Sequence, residues 1–417
     1  MLEGWTNTTL GILAEFRNGM NFTQSSNGES LKVIGVGDFL SNEIINDFSE
    51  ISPVTIDGNI NSEDLLQNDD LLFVRSNGNK ALIGRCMIIQ NVDEPITFSG
   101  FTIRARIASQ SVDKAYISKL VQSPLFKEHL HRLGGGSSIN NLNQGTLSEF
   151  SFDLPPLSEQ RRIAEILRTW DGAIEKLKAL RSTVIERRSW IRSNILSGEI
   201  RLGNFNGPWK EVAFSEVLHE HGQNSEPQDE VFSVSVHKGL INQIEHLGRS
   251  FSAANTDHYN RVLPGDIVYT KSPTGDFPLG IIKQSTVDDP VIVSPLYGVF
   301  TAETRALGTI LEAFFESPIT TQNYLHPLVQ KGAKNTIAIT NKRFLEGKLT
   351  LPRDPVEQEA IAEFIETDRA QVKGIDAEID ALQRQKRGLM QKLLTGEWRV
   401  NTAETNNLAS NMEIAHG

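Results

Sequence analysis

The chain has few of the features that would place it in an oxidising compartment or a membrane. It has 417 residues but one cysteine, Cys86, which excludes an internal disulfide and a cysteine-based zinc cluster. No apolar run approaches the length of a membrane span, and the first residues, MLEGWTNTTL, lack the basic and apolar regions of a secretion signal. The sequence therefore predicts a cytoplasmic protein without disulfides.

An excess of basic residues is also missing. The 52 acidic residues outnumber the 41 basic ones, which gives a net charge of −11 and a pI near 5.4. Strong phosphate binding usually shows as a basic balance. Taken alone, the charge argues against a nucleic-acid partner, although residues 154–202 reverse the balance with ten basic against six acidic residues.

Complete catalytic motifs are missing as well. Gly275 to Gly280 has the glycine spacing of a nucleotide-binding P-loop, but Ile281 stands where the motif needs lysine. Glu346-Gly347-Lys348 matches half of a metal-nuclease motif, with Asp266 as a conceivable partner, although a solvated strand face explains these residues better. We therefore expect no catalytic residue and no metal site, and keep a nuclease as an alternative.

One long stretch occurs twice and sets the organisation of the chain. The first copy runs from Leu154 to Leu202 and the second from Leu351 to Val400. From Gln160 onward they align without a gap at an offset of 198 residues. A period near half the chain length predicts a duplicated, two-part protein.

Both copies show the spacing of a coiled-coil helix. Each has a seam that is apolar at eight of ten positions over about five heptads, a pattern typical of coiled coils. Charged residues interrupt the seam at Arg181 and Arg188 in the first copy and at Asp368 and Lys386 in the second. Because a lone helix with one apolar stripe is unstable in water, we expect the two copies to pack on each other. The predicted seam residues are Ile163, Leu167, Trp170, Ile174, Leu177, Val184, Ile191, Ile195, Ile361, Ile365, Val372, Ile375, Ile379, Leu382, Leu389 and Leu393.

The ends of both helices carry signals of their own. Ser158 is the predicted N-cap of the first helix, and Asp-Pro-Val-Glu at residues 354–357 predicts a capping box with proline at the first helical position. Gly198 and Gly396 are the predicted C-terminal stops.

A globular block of mixed composition precedes each helix. In the first block, residues 5–16 and 116–133 predict helices, and alternating β-branched segments predict strands. The second block repeats the first with little identity: Leu263 to Ser272 corresponds to Asn68 to Ser76, and Leu279-Gly280 to Ile83-Gly84. The predicted fold is α+β with an internal two-fold pseudo-repeat. The predicted segments are blocks at 1–153 and 203–350, long helices at 154–202 and 351–400, and a disordered tail at 401–417.

Polar loops at matching places in the two blocks suit the reading of DNA bases. Arginine and lysine can pair with guanine, asparagine and glutamine with adenine, and serine or threonine with phosphate. The same residues would also be at home as solvated loop side chains. The candidates are Arg75, Ser76, Asn77, Lys80, Asn140, Asn141, Asn143, Gln144, Lys271, Ser272, Thr274, Lys331, Lys334, Asn335, Asn341 and Lys342.

Several motifs follow one another in a fixed order: LVQSPLF at 120–126, GSSINNLN at 136–143 and LPPLSEQRRI at 154–163, with a return as PVEQ at 355–358 and LLTG at 393–396. In this order they resemble the specificity subunit of type I restriction–modification systems. The resemblance covers residues 1–400 in organisation and is strongest in the two helices. The second copy departs from the first by Arg353-Asp354 in place of a Pro-Leu pair.

The resemblance implies a non-catalytic DNA-recognition subunit. Each block would be a target-recognition domain reading one half of a bipartite, asymmetric DNA site. The two helices would pack antiparallel, separate the domains and dock two methyltransferase subunits, and motor–nuclease subunits would join them. S-adenosylmethionine, ATP and magnesium would bind to those partners and not to this chain. The alternative is a coiled-coil assembly scaffold that reads no bases.

Overall fold

The structure is a computed structural model that describes residues 3–22, 27–39, 43–56, 60–133, 141–244, 256–331 and 337–401. Its contacts divide the chain into two units: Met1–Lys178 with Ala377–Gly417, and Ala179–Asp376. Both divisions fall inside the long helices, so each unit holds one block and one half of each helix. The predicted domain boundaries at the block–helix junctions stay a prediction, and the predicted disordered tail lies, from residue 402 on, outside the described residues.

The described residues of unit one form three sheets. The largest has the order β2-β9-β6-β7-β4, a second has the order β5-β3-β8, and β1 pairs with β10. The pairings β3–β8 and β4–β7 are parallel and the others are antiparallel. The strands are β1 (Thr6–Thr9), β2 (Ala14–Asn18), β3 (Glu29–Ile34), β4 (Ile44–Ile45), β5 (Pro53–Ile56), β6 (Leu71–Val74), β7 (Cys86–Ile89), β8 (Ile96–Phe98), β9 (Thr102–Ile107) and β10 (Ser151–Leu154).

Short helices cover the large sheet of unit one. They are α1 (Leu10–Leu13), α2 (Lys114–Gln122), α3 (Pro124–Leu133) and α4 (Gln144–Ser148), and the long helix α5 (Leu157–Leu196) begins here. The helix predicted over residues 5–16 is wrong, because strand pairing of β1 with β10 and β2 with β9 takes most of that segment. The helix predicted over 116–133 is divided at Ser123, whose hydroxyl donates to the carbonyl of Leu120 just before Pro124.

The described strands of unit two are shorter and more numerous than those described in unit one. Its main sheet has the order β12-β19-β16-β17, beside the pairs β11-β22, β13-β14, β15-β18 and β20-β21. The strands are β11 (Lys210–Ala213), β12 (Leu218–His219), β13 (Phe232–Ser235), β14 (Gly239–Asn242), β15 (Asn260–Val262), β16 (Ile267–Tyr269), β17 (Ile282–Gln284), β18 (Val291–Val293), β19 (Gly298–Ala302), β20 (Gln330–Lys331), β21 (Ile337–Ala338) and β22 (Lys348–Leu351). The helices are α6 (Phe214–Val217), α7 (Arg305–Phe314), α8 (Pro318–Leu325) and α9 (Asn341–Glu346), followed by the start of α10 (Pro355–Leu394).

The two units share one plan. In each, the first strand of the block pairs antiparallel with its last strand, β1 with β10 and β11 with β22. The central order β9-β6-β7 in unit one corresponds to β19-β16-β17 in unit two. The predicted α+β fold with an internal repeat is confirmed. In the described part of the chain, no helix combines the length and the apolar character needed to cross a membrane.

The long helices run antiparallel within each unit. In unit one, Leu167 near the start of α5 shares a core with Leu393 near the end of α10. In unit two, Ile195 near the end of α5 shares a core with Ile361 near the start of α10. All sixteen predicted seam residues are buried or half-buried. The apolar stripe therefore continues directly into the core of the block at each end.

The charged residues that interrupt the seam form ion pairs with the opposite helix. Arg188 pairs with Asp368 at 2.6 Å, Arg181 pairs with Asp376, and Lys386 pairs with Asp171. Burial raises the pKa of the Asp368 carboxyl even though Arg188 opposes that shift. Since a charge left alone in such a seam would be costly, these pairs favour one register of the two helices over shifted ones.

A buried glutamate near the start of α5 joins three parts of unit one. Glu159 accepts a hydrogen bond from the indole Nε1 of Trp5 at 3.0 Å. It also accepts two from the guanidinium of Arg399, at 2.8 and 2.9 Å, just beyond the end of α10. The guanidinium of Arg399 lies 5.7 Å from the centre of the Trp5 ring. We call this arrangement the Glu–Arg–Trp clasp.

Unit two repeats the clasp with residues at the matching positions. Glu357 accepts hydrogen bonds from Arg201 at 2.5 and 2.7 Å and from Nε1 of Trp209 at 3.2 Å. The predicted capping box is therefore only half right: Asp354 caps the helix by accepting from the Val356 amide at 2.9 Å, but Glu357 turns to the clasp. Ser158 is not the N-cap of α5, since that helix already begins at Leu157.

The glutamine after each clasp glutamate fixes the block to the long helix. Gln160 donates to the carbonyl of Pro155 at 2.8 Å and accepts from the amide of Asp113, the N-cap of α2. Gln358 donates to the carbonyl of Pro352 at 2.8 Å and accepts from the hydroxyl of Thr304, the N-cap of α7. Thus the repeated Glu-Gln pair holds both the helix end and the block.

Ion pairs also join each block to the helix half beside it. In unit one, Lys119 of α2 pairs with Asp171 of α5 at 2.7 Å. In unit two, Glu316 pairs with Arg369 at 2.6 Å, with Arg188 at 3.5 Å and with Arg192. Burial works against the charged form of Glu316, but Arg192, Arg369 and Arg188 outweigh it and lower the pKa of that carboxyl.

We predict that Glu357→Ala lowers the free energy of unfolding by about 2–4 kcal/mol, because Arg201 and Trp209 lose a charged, buried acceptor. Chemical denaturation of the full chain measures this. Glu359→Ala is the matched control, since Glu359 is exposed on the same turn of the helix. Equal losses in the two variants would show that the clasp adds nothing.

The lowered pKa of Glu316 predicts that the stability of the fold decreases in acid. A lowered pKa in the folded state stabilises the fold above the unfolded value of about 4.5, and this contribution is lost as the pH falls through the folded pKa. The advantage of the wild type over Glu316→Gln should therefore be constant near pH 7 and shrink below about pH 4.5. Thermal unfolding between pH 7 and pH 3 tests this, and a constant difference would contradict it.

Candidate nucleic-acid interface

One end of the large sheet in unit one gathers several of the predicted base-reading residues. Arg75 directly follows β6, and its amide donates to the carbonyl of Phe101 at 2.8 Å. Its guanidinium donates to the carbonyl of Gly100 at 3.4 Å. The carbonyl of Arg75 accepts from the amide of Leu142 at 2.8 Å, which brings in the polar segment 141–144. Three loops distant in sequence thus meet around Arg75.

The polar residues of segment 141–144 have different roles. Asn143 is the N-cap of α4, and its Oδ1 accepts from the amide of Thr146 at 2.8 Å, so that oxygen is engaged in holding the helix. Gln144 is the first residue of that helix and is half-buried, while Asn141 is exposed. Asn140 lies outside the described residues.

The loop after β6 is held by one bond to a neighbouring turn and by its own side chains. The amide of Ser76 donates to the Phe101 carbonyl at 3.4 Å. Oδ1 of Asn77 accepts from the amide of Asn79 at 2.7 Å. Lys80 is exposed and lines a cleft of about 500 Å³ together with Arg85, Lys127 and His131. Sequence reasoning missed Arg85 and Lys127, because neither lies in a polar loop motif.

The matching sheet end of unit two is built around Lys271. This residue has φ +58°, an uncommon value for a side chain larger than glycine. A β-carbon on Gly280 would come within 2.8 Å of the Lys271 nitrogen, so the strained turn depends on that glycine. Burial lowers the pKa of Lys271, and Glu220 opposes the shift. Backbone strain of this kind is frequent at functional sites.

Glu220 is a functional candidate that sequence reasoning missed. Its Oε1 accepts from the side-chain amide of Asn341 at 2.5 Å, and its charge acts on Lys271. Unit two thus places a cation, a carboxylate and an amide together.

The remaining candidates of unit two are more scattered. Thr274 exchanges two backbone hydrogen bonds of 3.0 Å with Phe277 in a small turn, and its hydroxyl donates to the carbonyl of the exposed Ser272 at 3.2 Å. Lys342 is exposed on α9. Lys331 lies in β20, but its side chain is outside the described part, as are Lys334 and Asn335.

The residues of the nuclease alternative have structural partners. Buried Asp266 accepts from the amide of Leu263 at 2.7 Å and from the hydroxyl of Thr301 at 2.7 Å, and also contacts His221. Asp70, its equivalent in unit one, likewise accepts from the amide three residues earlier. Glu346 pairs with Arg343, and Lys348 pairs with Glu211 at 3.3 Å. These contacts explain the motif without a nuclease, and the described residues contain no cluster of three or more metal-binding side chains.

Comparison with known proteins shows what the chain is similar to. Residues 2–187 match a sequence model of the type I restriction modification DNA specificity domain. The chain is 28% identical over 210 residues to the StySPI specificity subunit of Salmonella potsdam, a match covering 49% of this chain and 43% of that one. It is 22% identical over 437 residues to the EcoKI specificity subunit of Escherichia coli (strain K12), covering 96% and 92% of the two chains.

Solved structures show the same fold. One is a chain from a study of complex assembly and conformational transition in a type I restriction–modification system, with a TM-score of 0.57, 15% identity and coverage of 95% of this chain and 99% of that one. Another is the S subunit of a type I system from M. genitalium, with a TM-score of 0.51, 12% identity and coverage of 94% and 96%. The chain is thus similar to type I restriction–modification specificity subunits: residues 2–187 match the specificity-domain model, and one such subunit aligns over 96% of the chain.

We predict that Lys271→Gly stabilises the protein by about 1 kcal/mol, because glycine adopts positive φ without the strain that lysine carries. Chemical denaturation measures the change. Asn91→Gly is the control, since Asn91 also has positive φ (53°) but asparagine tolerates that conformation well. A destabilised Lys271→Gly variant would mean that side-chain contacts of Lys271 outweigh its backbone strain.

Proposed function

We propose that this chain is the sequence-specific DNA-recognition subunit of a type I restriction–modification complex, and that each block reads one half of a split, asymmetric site. The main support is the duplicated sheet end: the strand order is the same in both units, but the polar side chains at the sheet end differ. Unit one presents Arg75 with the amide-rich segment 141–144, and unit two presents Lys271, Glu220 and Asn341. Two related surfaces with different donors and acceptors suit two different half-sites.

The chemistry of each surface fits the edges of base pairs in the major groove. An arginine such as Arg75 can donate twice to guanine, and asparagine or glutamine can bind adenine through a donor and an acceptor. A carboxylate such as Glu220 can accept from the amino group of cytosine. Unit two therefore has an acceptor that unit one lacks at the matching place, and the two half-sites should differ in sequence.

The chain acts without catalysis of its own, in the cytoplasm, as part of a larger complex. The long helices dock two methyltransferase subunits, and motor–nuclease subunits join for cleavage. S-adenosylmethionine, ATP and magnesium bind to those partners. The exposed Leu180 and Trp190 on α5 are apolar surface that such a partner would cover. Partner subunits also supply phosphate-binding surface, which reconciles DNA recognition with a net charge of −11.

The competing proposal is a scaffold that assembles the complex and reads no bases. It explains the helices equally well, but it gives no reason for the strained Lys271 or for the paired sheet ends. The direct experiment is to express the chain with its methyltransferase partner and to map methylated adenines across a host genome by long-read sequencing. A split motif with two different halves supports recognition. A stable complex without methylation supports the scaffold.

We predict that Arg75→Ala relaxes the methylation motif in one half only, and that Lys271→Ala relaxes it in the other half only. Losing one base contact should reduce discrimination at one or two base pairs by about 1–3 kcal/mol, or roughly 5- to 150-fold. Arg132→Ala and Lys210→Ala are the matched controls, because both remove an exposed cation outside the sheet ends. If either variant lost base discrimination in both halves of the motif, the proposal that each block reads one half would be contradicted.

A further inference from the structure

Two exposed apolar side chains occupy the same place in the two units. Phe101 lies between β8 and β9 and is 62% exposed. Leu296 lies between β18 and β19 and is 72% exposed. The large sheet contains β9 in unit one, and β19 is its counterpart in unit two, so both residues belong to equivalent connections.

The two connections are closed by the same kind of backbone hydrogen bond. In unit one the amide of Thr102 donates to the carbonyl of Ser99 at 2.9 Å, and Phe101 is the third residue of that turn. In unit two the amide of Tyr297 donates to the carbonyl of Ser294 at 3.0 Å, and Leu296 is again the third residue. Equivalent turns in two blocks of little identity thus present an apolar side chain to solvent at the same point.

Both turns are held by side chains or strands from elsewhere in the block. In unit one the Phe101 carbonyl accepts from the amides of Arg75 and Ser76, at 2.8 and 3.4 Å. In unit two the side-chain amide of Asn260 donates to the carbonyl of Tyr297 at 2.9 Å and to that of Pro295 at 3.5 Å. The turn backbones are therefore held in place, which reduces the conformational entropy that the turns would lose on binding.

Each turn adjoins the cation of its sheet end. Val74, one residue before Arg75, pairs with Thr102 in the β6–β9 ladder. Tyr269, two residues before Lys271, pairs with Gly298 in the β16–β19 ladder. An exposed apolar group beside a cation complements DNA, which offers phosphates and apolar base surface within one groove.

Among the described residues, one other exposed apolar pair is duplicated: Ile200 and Trp398, 198 residues apart, which follow the ends of the two long helices and do not belong to the sheet ends. The remaining exposed apolar residues are not duplicated. Ile12, the third residue of α1, is 73% exposed, but Glu216 takes its place in α6. The position equivalent to Trp190 at the offset of 198 residues is Gly388. Single exposed apolar residues are common on protein surfaces and need no explanation. Phe101 and Leu296, which form a pair at the candidate interface of both blocks, do need an explanation.

We propose that Phe101 and Leu296 each enter a groove of the bound DNA and contact the apolar surface of bases in their own half-site. This inference rests on the proposed function. The apolar surface has two sources: the methyl group of thymine in the major groove, or the faces of two base pairs that separate at a kinked step. Phe101 and Leu296 add recognition that the polar candidates cannot supply.

The test uses the full chain in its complex with the methyltransferase subunit, and DNA duplexes carrying the target found by methylation mapping. Phe101→Ser and Leu296→Ser should each weaken binding of target DNA by about tenfold, with binding of unrelated DNA and the salt dependence unchanged, since no charge is lost. Mismatches should become tolerated only in the half-site of the altered unit. Phe101→Leu keeps an apolar tip and should retain most of the affinity.

Ile12→Ser and Ile319→Ser are the matched controls, because both residues are 73% exposed and lie outside these turns. If the controls lose as much affinity as the turn variants, or if the turn variants lose none, the inference is wrong while the proposed function stands. If the wild-type complex shows no preference for any target, the proposed function itself fails. Thermal unfolding of each variant checks that the fold is intact.

Two altered duplexes separate the sources of the apolar surface. Replacing a target thymine by deoxyuridine removes its methyl group. If the methyl is the contact, this weakens the wild type and leaves Phe101→Ser unaffected. If a base step opens, 2-aminopurine at that step brightens on binding the wild type and not Phe101→Ser. If wild type and Phe101→Ser respond equally in both the deoxyuridine scan and the 2-aminopurine scan, the inference is wrong.

Discussion

The structure depends on one buried carboxylate near the start of each long helix. Glu159 and Glu357 each receive a guanidinium from beyond the end of the opposite helix and an indole from the start of a block. The glutamine that follows each of them reaches the N-cap of the block's own helix. Helix register, block position and the antiparallel arrangement are thus set at one point in each unit, which leaves the sheet ends free to vary.

Sequence reasoning predicted the elements whose signal is local and repeated. The heptad pattern gave both helices, and glycine at the stops was right, since Gly198 and Gly396 have φ +78° and +71°. It failed where distant strands decide the structure. Residues 5–16 have helical spacing in isolation, but pairing with β10 and β9 overrides it.

The candidate interface was predictable in place but not in detail. Polar loops pointed to Arg75 and Lys271, and the structure brings Arg75 together with segment 141–144, which are far apart in sequence. Sequence reasoning did not point to Glu220, because one acidic residue among the 52 acidic residues of the chain carries no pattern. Nor did it point to Phe101 and Leu296, since an apolar residue between two strands is expected to be buried. Exposure depends on the turn geometry, which only the fold reveals.

The ion pairs between block and helix differ in sign in the two units. Lys119 contacts Asp171 in unit one, whereas Glu312 and Glu316 contact Arg369 in unit two, and Arg369 occupies the position equivalent to Asp171. If a block were fused to the other end of the helix pair, lysine would face arginine and glutamate would face aspartate. Because the ion pairs have opposite sign in the two units, each block matches only its own end of the helix pair. The charges therefore favour the order of the two blocks that the chain already has, in addition to the covalent connection.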